Sequence, residues 1–159
     1  MGPKGTGLLY VSPDAAEAIQ PIQREDDSRF FISESIGVGC LPLAIGLGAV
    51  IEAMAQRGMA TVTAHVTGLR ALAWRGLRDM PSLGVVGPPP GPRATGMVSA
   101  RLADDVDTGA LRNRLLDQHG VVIKTIDKRW FNGIRLSPHI FNTEADIDRA
   151  LSAIRTELG

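Results

Sequence analysis

Cysteine is almost absent from this sequence, and its scarcity removes two kinds of site. Cys40 is the one cysteine among 159 residues. A single thiol cannot form a disulfide within the chain, and it cannot supply the several cysteine ligands of a structural zinc site. Such cysteine usage is typical of a reducing compartment, so we expect a cytoplasmic protein.

Charge of one sign and long apolar runs are lacking as well. The 17 Lys and Arg residues balance 17 Asp and Glu residues, and the basic ones are scattered along the chain. This pattern disfavours nucleic acid and anionic membranes as partners. The longest uncharged stretch, residues 35–51, contains Pro42 and falls short of the ~20 apolar residues that span a bilayer. We therefore expect no membrane segment, and residues 1–5 do not resemble a signal peptide.

The first half of the chain predicts a turn, a strand and three helices. A glycine-rich turn precedes the apolar residues 7–11, which we interpret as a strand. Ser12 is suited to cap a short helix that begins at Pro13. Apolar residues at helical spacing then predict a helix from Pro42 to near Gly58 and another over residues 62–77.

The second half predicts the order strand, strand, helix, strand, strand, helix. Asp107 is expected to cap the first of these helices, with Leu111, Leu115 and Leu116 on its buried face and Gly120 at its end. A threonine cap and an acidic first turn predict the last helix from residue 143 onward. The strands are predicted at residues 83–86, 97–103, 121–123 and 134–137. This order indicates an α+β fold with helices on one face of a sheet.

Most of the residues that could carry chemistry match no known catalytic pattern. The glycine-rich turn at residues 2–7 fits neither a phosphate-binding loop nor a dinucleotide fingerprint, so we interpret it as a tight turn. His65, His119 and His139 are far apart in sequence and lack the spacing of metal ligands, so no metal site is predicted. The serines lack the strand-turn-helix elbow of a nucleophile.

Arg135 is the exception, because it alternates with apolar residues on a predicted strand. If Ile134 and Leu136 face the core, the guanidinium of Arg135 points to the other side of the sheet. Its planar fork of N–H groups suits a carboxylate or a phosphate. The pattern alone leaves two roles open, an anion-binding site and an exposed salt bridge.

Three stretches together resemble one enzyme family. They are GPKGTGLLYV at residues 2–11, PLAIGLGAVIE at 42–52 and GIRLSPHIFNTEADID at 133–148. They are similar to the C-terminal half of class V aminotransferases, which use pyridoxal 5'-phosphate (PLP). The resemblance implies the small α+β domain of an aspartate-aminotransferase-like, fold type I enzyme at residues 41–159, with its leading helices. Residues 1–40 would then be a remnant of the large cofactor domain and a loop.

The resemblance also implies roles for individual residues. Arg135 matches the arginine that holds the α-carboxylate of the amino-acid substrate. Gly37 and Val38 match the place where one subunit of a homodimer reaches the cofactor phosphate of the other, although Val38 lacks the usual hydroxyl. The lysine that forms the Schiff base with PLP is expected upstream of Met1, and Lys4 does not match its position.

Transamination, epimerisation and elimination share their first steps in this family, and the sequence does not separate them. Cysteine desulfurases of the family carry a persulfide cysteine on a loop between the strand that matches residues 97–103 and the final arginine strand. No cysteine occurs from Leu41 to the end, which predicts that the protein is not a thiolate cysteine desulfurase. The missing Schiff-base lysine leaves one alternative, a stand-alone, non-catalytic α+β domain for protein association.

Overall fold

The computed structural model describes residues 2–8, 10–18 and 40–159. These divide into two compact units, one within residues 1–57 and the other over residues 58–159. The border lies at the end of a helix, whereas the sequence places a domain border after residue 40, and that assignment stays a prediction.

The first unit contains two helices, α1 (Pro13–Ala18) and α2 (Leu41–Arg57). Ser12 caps α1 as predicted, since its hydroxyl accepts a hydrogen bond from the Ala15 N–H at 3.2 Å. The strand predicted at residues 7–11 is wrong for residues 7, 8, 10 and 11, which form no strand. Tyr10 is exposed there, because an apolar run becomes a strand only where another strand can pair with it.

The second unit is an antiparallel sheet with three long helices. In chain order its elements are α3 (Met59–Arg78), β1 (Gly84–Val86), β2 (Val98–Arg101), α4 (Thr108–His119), β3 (Lys124–Ile126), β4 (Gly133–Leu136) and α5 (Glu144–Leu158). The four strands lie in the order β1-β2-β4-β3, and every neighbouring pair is antiparallel. The predicted α+β class is confirmed.

One apolar cluster joins the helices to one face of this sheet. Its most deeply buried large side chains are Leu77, Leu111, Leu115, Ile134, Ile154 and Val98. Strand residues alternate between the two faces of a sheet, so the burial of Ile134 and Leu136 assigns this face to the core. We call the opposite face, which carries Arg135, the outer face.

The caps of α4 and α5 follow the sequence closely. The Asp107 carboxylate accepts hydrogen bonds from the Gly109 and Ala110 N–H groups, which lowers the pKa of Asp107. Gly120 ends α4 in the left-handed conformation at φ 65°, where a side chain would be strained. Thr143 and Asp146 form a reciprocal capping box at the start of α5.

Two predictions in this unit are wrong. The third strand is Lys124–Ile126, three residues after the expected segment 121–123, because residues 124–126 are the ones that pair with β4 on this side. Val121 and Ile123 are nevertheless buried. Their apolar pattern therefore reflects burial in the core and not pairing with a neighbouring strand. Leu116 is 49% exposed although it follows the buried Leu115, since adjacent helical residues point about 100° apart.

Candidate functional site

Arg135 lies in the middle of β4 and on the outer face of the sheet. Its neighbours in the strand, Ile134 and Leu136, are 0% and 7% exposed, while Arg135 itself is half-buried. The expected direction of the guanidinium follows from this alternation.

The guanidinium of Arg135 has an unused hydrogen-bond donor. Its Nε atom is buried and has no partner. Within residues 2–8, 10–18 and 40–159, no carboxylate lies within ion-pair distance of Arg135. A buried donor without an acceptor costs free energy, so this group is arranged for an acceptor that the described residues do not supply.

The neighbouring strands place two polar residues directly beside Arg135. Ser99 on β2 and Lys124 on β3 are its Cα partners across the two ladders. Directly opposed residues share a face, with their Cβ atoms about 5 Å apart. The outer face therefore carries a row of Ser99, Arg135 and Lys124, and Arg101 lies further along β2 with its guanidinium 4.8 Å from the centre of the Phe131 ring.

Two residues fix the start of β4: Asn132, which immediately precedes it, and Gly133, its first residue. Asn132 is 4% exposed, and its amide group donates hydrogen bonds to the Ala103 carbonyl at 2.7 Å and the Val106 carbonyl at 2.9 Å. A Cβ atom on Gly133 would lie 2.5 Å from the Ala100 carbonyl oxygen and 2.6 Å from the Phe131 ring. Only glycine fits at this close approach.

The segment after β4 is held by hydrogen bonds around Asn142. The Asn142 side-chain oxygen accepts a hydrogen bond from the His139 backbone N–H at 2.9 Å, and the Asn142 backbone carbonyl lies 3.0 Å from Nε2 of His65. The His139 ring stacks on Phe141 with centroids 4.9 Å apart. These contacts fix the turn that connects β4 to α5.

A cavity of about 380 Å³ lies beside the start of α5. Its lining includes Val122, Ser137 and Arg149 but not Arg135. Since the unused donor of Arg135 is elsewhere, we assign the candidate site to the outer face of the sheet and not to this cavity.

The other predicted site residues, Gly37 and Val38, lie outside the described residues. Lys4 belongs to the first unit and is exposed. Within the second unit Lys124 and Lys128 are also exposed, and Lys124 lies beside Arg135. In the described part of the chain, no group of three His, Cys, Asp or Glu residues could hold a metal ion.

One buried charge was not anticipated from the sequence. Arg70 on α3 is 1% exposed, and burial lowers the pKa of its guanidinium. It donates hydrogen bonds to the Pro88 carbonyl at 2.6 Å and the Met97 carbonyl at 3.2 Å, at the two ends of the proline-rich connection between β1 and β2. Met97 immediately precedes β2, so Arg70 helps to fix the strand that carries Ser99.

The fold and the position of Arg135 define a class of protein: an α+β domain whose sheet carries helices on one face and Arg135, with its unpartnered Nε, on the other. The model of the aminotransferase class-V family matches residues 1–150, and the chain belongs to this family of enzymes.

The matched relatives are more than twice as long as this chain. A "Probable cysteine desulfurase" from Staphylococcus epidermidis is 24% identical over 180 residues, covering 98% of this chain and 42% of that protein. The cystine C-S lyase C-DES, solved with its product cysteine persulfide, gives a TM-score of 0.77 at 21% identity, over 97% of this chain and 43% of that chain. The cysteine desulfurase CsdA from Escherichia coli gives a TM-score of 0.75 at 21% identity, over 99% of this chain and 43% of that chain.

The fold of these enzymes is thus shared, including that of a C-DES mutant with glycine covalently linked to its PLP cofactor. That structure gives a TM-score of 0.65 at 20% identity, over 76% of this chain and 30% of that chain.

Among the residues that the structure describes, no helix is long and apolar enough to cross a membrane.

The exclusion of the cysteine desulfurase branch is wrong. The similarity to a probable cysteine desulfurase extends over 98% of this chain, and it contradicts an inference made from one missing side chain. That inference relied on the stretch between the strand predicted at residues 97–103 and the arginine strand. In the structure this stretch contains α4, β3 and the short turn at residues 127–132, where Asp127 accepts hydrogen bonds from Arg129. Loops vary most among relatives, so the content of one loop does not decide the branch.

Proposed function

We propose that this chain forms the substrate-carboxylate side of a PLP-dependent class V enzyme that acts on an amino acid. Arg135 is the residue that holds the α-carboxylate. The observation that carries the proposal is the buried, unpartnered Nε–H of Arg135 on a face without a described counter-ion. A carboxylate would accept two parallel hydrogen bonds from the fork, one of them from Nε.

PLP is proposed because the family and the C-DES structure with linked glycine both favour it. When bound, PLP supplies an electron sink for negative charge that develops at the α-carbon. The described residues fit the substrate side of such a site, through Arg135. We assign the Schiff base to none of Lys4, Lys124 and Lys128, since all three are exposed. Gly37 and Val38 remain proposed contacts to the cofactor phosphate.

The task of this chain would be orientation. Binding of the α-carboxylate to β4 fixes one end of the amino acid on a rigid strand, so that the bond to be broken keeps a constant direction. Asn132 and Gly133 support this geometry, because they fix the residue at which β4 begins. A homodimer and a cytoplasmic location are also proposed, from the family and from the cysteine usage.

The test is substitution of Arg135 in a PLP-loaded protein that carries this chain. Arg135→Lys keeps the charge but loses the fork. A hydrogen bond to a charged group is worth about 1.5–3 kcal/mol, so kcat/KM for an amino acid should fall about ten- to a hundred-fold. Arg129→Lys, in an exposed ion pair with Asp127, is the matched control and should change little.

An amine that lacks the carboxylate separates binding from structure. Its turnover should be indifferent to Arg135→Lys, because no anion remains for the guanidinium to hold. Equal losses for the amino acid and the amine would assign Arg135 to a structural role and refute the proposed function.

A further inference from the structure

The outer face of the sheet carries two cations side by side. Arg135 and Lys124 are direct Cα partners in the β3–β4 ladder. Like charges placed directly opposite in a sheet destabilise it. The ion pairs of the described unit are elsewhere: Arg78 with Asp79, Arg114 and His119 with Glu157, and Arg129 with Asp127. Within the described ranges, neither Arg135 nor Lys124 has an acidic partner.

The other polar groups of this face do not balance these charges. Ser99, on the opposite side of Arg135, is neutral. Arg101 adds a third cation, although its guanidinium lies over the Phe131 ring. An amino acid bound through one carboxylate would therefore neutralise Arg135 and leave Lys124 without a counter-charge.

We propose that Lys124 binds a second anionic group, on the side chain of the substrate, so that the site prefers an acidic amino acid. This inference rests on the proposed function, because it takes the α-carboxylate to be held by Arg135. The two cations suit different anions. The planar fork of arginine binds both oxygens of one carboxylate, whereas lysine is a point charge on a flexible stem that can follow a side chain of varying length.

Two pairs of isosteric amino acids test the preference directly. L-aspartate and L-asparagine differ in one charge and almost nothing in shape, and so do L-glutamate and L-glutamine. We would titrate the 159-residue chain with each and follow the Nε–H resonance of Arg135 by ¹⁵N NMR. An exposed ion pair is worth up to about 1 kcal/mol, so the acidic member of each pair should bind up to about five-fold more tightly.

Three variants locate the source of the preference. Lys124→Met removes the charge and keeps much of the stem, so it should abolish the preference and leave the affinity for asparagine unchanged. Lys128→Met, two residues after β3 and also exposed, is the charge-matched control and should keep the preference. Arg135→Lys should weaken the binding of aspartate and of asparagine to the same extent.

The outcomes separate the two proposals. Equal binding of aspartate and asparagine, with both weakened by Arg135→Lys, would overturn the role of Lys124 and leave the role of Arg135 intact. Equal weakening of both by Lys124→Met would place Lys124 on the α-carboxylate and also overturn the inference. Failure of either amino acid to shift the Arg135 resonance at any soluble concentration would refute both proposals.

Discussion

Replacement of Asn132 by alanine tests how the arginine strand is held in place. The amide group of Asn132 donates to the Ala103 and Val106 carbonyls and so ties the connection between β2 and α4 to the start of β4. Alanine would remove both hydrogen bonds. The hydrogen bond from the Leu102 N–H to the Asn132 carbonyl, at 2.9 Å, involves only the backbone and would remain.

The expected loss of stability follows from these contacts. Two hydrogen bonds contribute about 1 kcal/mol each, so the free energy of unfolding should fall by about 2 kcal/mol. A larger loss is not expected, because Ala103 is exposed and Val106 half-buried, and their carbonyls can be hydrated after the change. The buried Oδ1 of Asn132 also lacks a partner. Its removal takes away an unfavourable buried polar atom and so offsets part of the lost stability.

Tryptophan fluorescence during urea unfolding measures this change in the right part of the chain. The two tryptophans, Trp74 and Trp130, both belong to the unit of residues 58–159. A loss of 2 kcal/mol corresponds to a midpoint lowered by about 1 M urea at an unchanged slope. Asn113→Ala is the control, since Asn113 is exposed and, among the described residues, only its neighbour Arg112 donates to its side chain. The effect of this substitution should stay within about 0.5 kcal/mol. Equal midpoints for the Asn132 and Asn113 variants would refute the anchoring role.

Two further predictions concern charge and cofactor. Arg114 and then His119 hold the pKa of Glu157 below its ordinary value of 4.5. The pair therefore stabilises the fold above that pH, and its contribution is lost as the pH falls through the lower folded pKa. Glu157→Gln should thus lower the melting temperature at pH 7 and make no difference at strongly acidic pH; an equal decrease at both would contradict the ionic explanation. Incubation of the chain with PLP, borohydride reduction and peptide mass mapping should find no stoichiometric label on Lys4, Lys124 or Lys128, and full labelling of one of them would assign the Schiff base to it.

The helices of this protein were predictable because their ends carry local signals. Asp107, Gly120 and Thr143 act on groups within five residues along the chain, so the sequence around each of them contains the whole interaction. The alternation of Ile134, Arg135 and Leu136 is local in the same way, and it was sufficient to predict which side of the sheet the guanidinium occupies.

The features that were missed depend on partners far away in sequence. The start of β3 is set by the residues of β4 with which it pairs. An apolar run such as residues 121–123 does not indicate which residues will pair. Arg70 contacts carbonyls 18 and 27 residues away, at positions where any residue type presents the same carbonyl group. An arginine within an apolar helical stripe was therefore the only available signal, and it does not identify what the arginine contacts.

The candidate site combines both kinds of information. The resemblance to class V aminotransferases marks Arg135 within a local motif, but the position of Lys124 beside it follows only from the pairing of Lys124 with Arg135 across the β3–β4 ladder. A shift of that register by one residue would turn Lys124 to the core face and place Thr125 or Ile123 opposite Arg135. The charge of the outer face is thus a property of strand register, and the turn at residues 127–132 sets that register. Insertion or deletion of one residue in this turn should therefore alter which substrates the site accepts, whereas substitutions that keep its length, such as Arg129→Lys and Lys128→Met, should not.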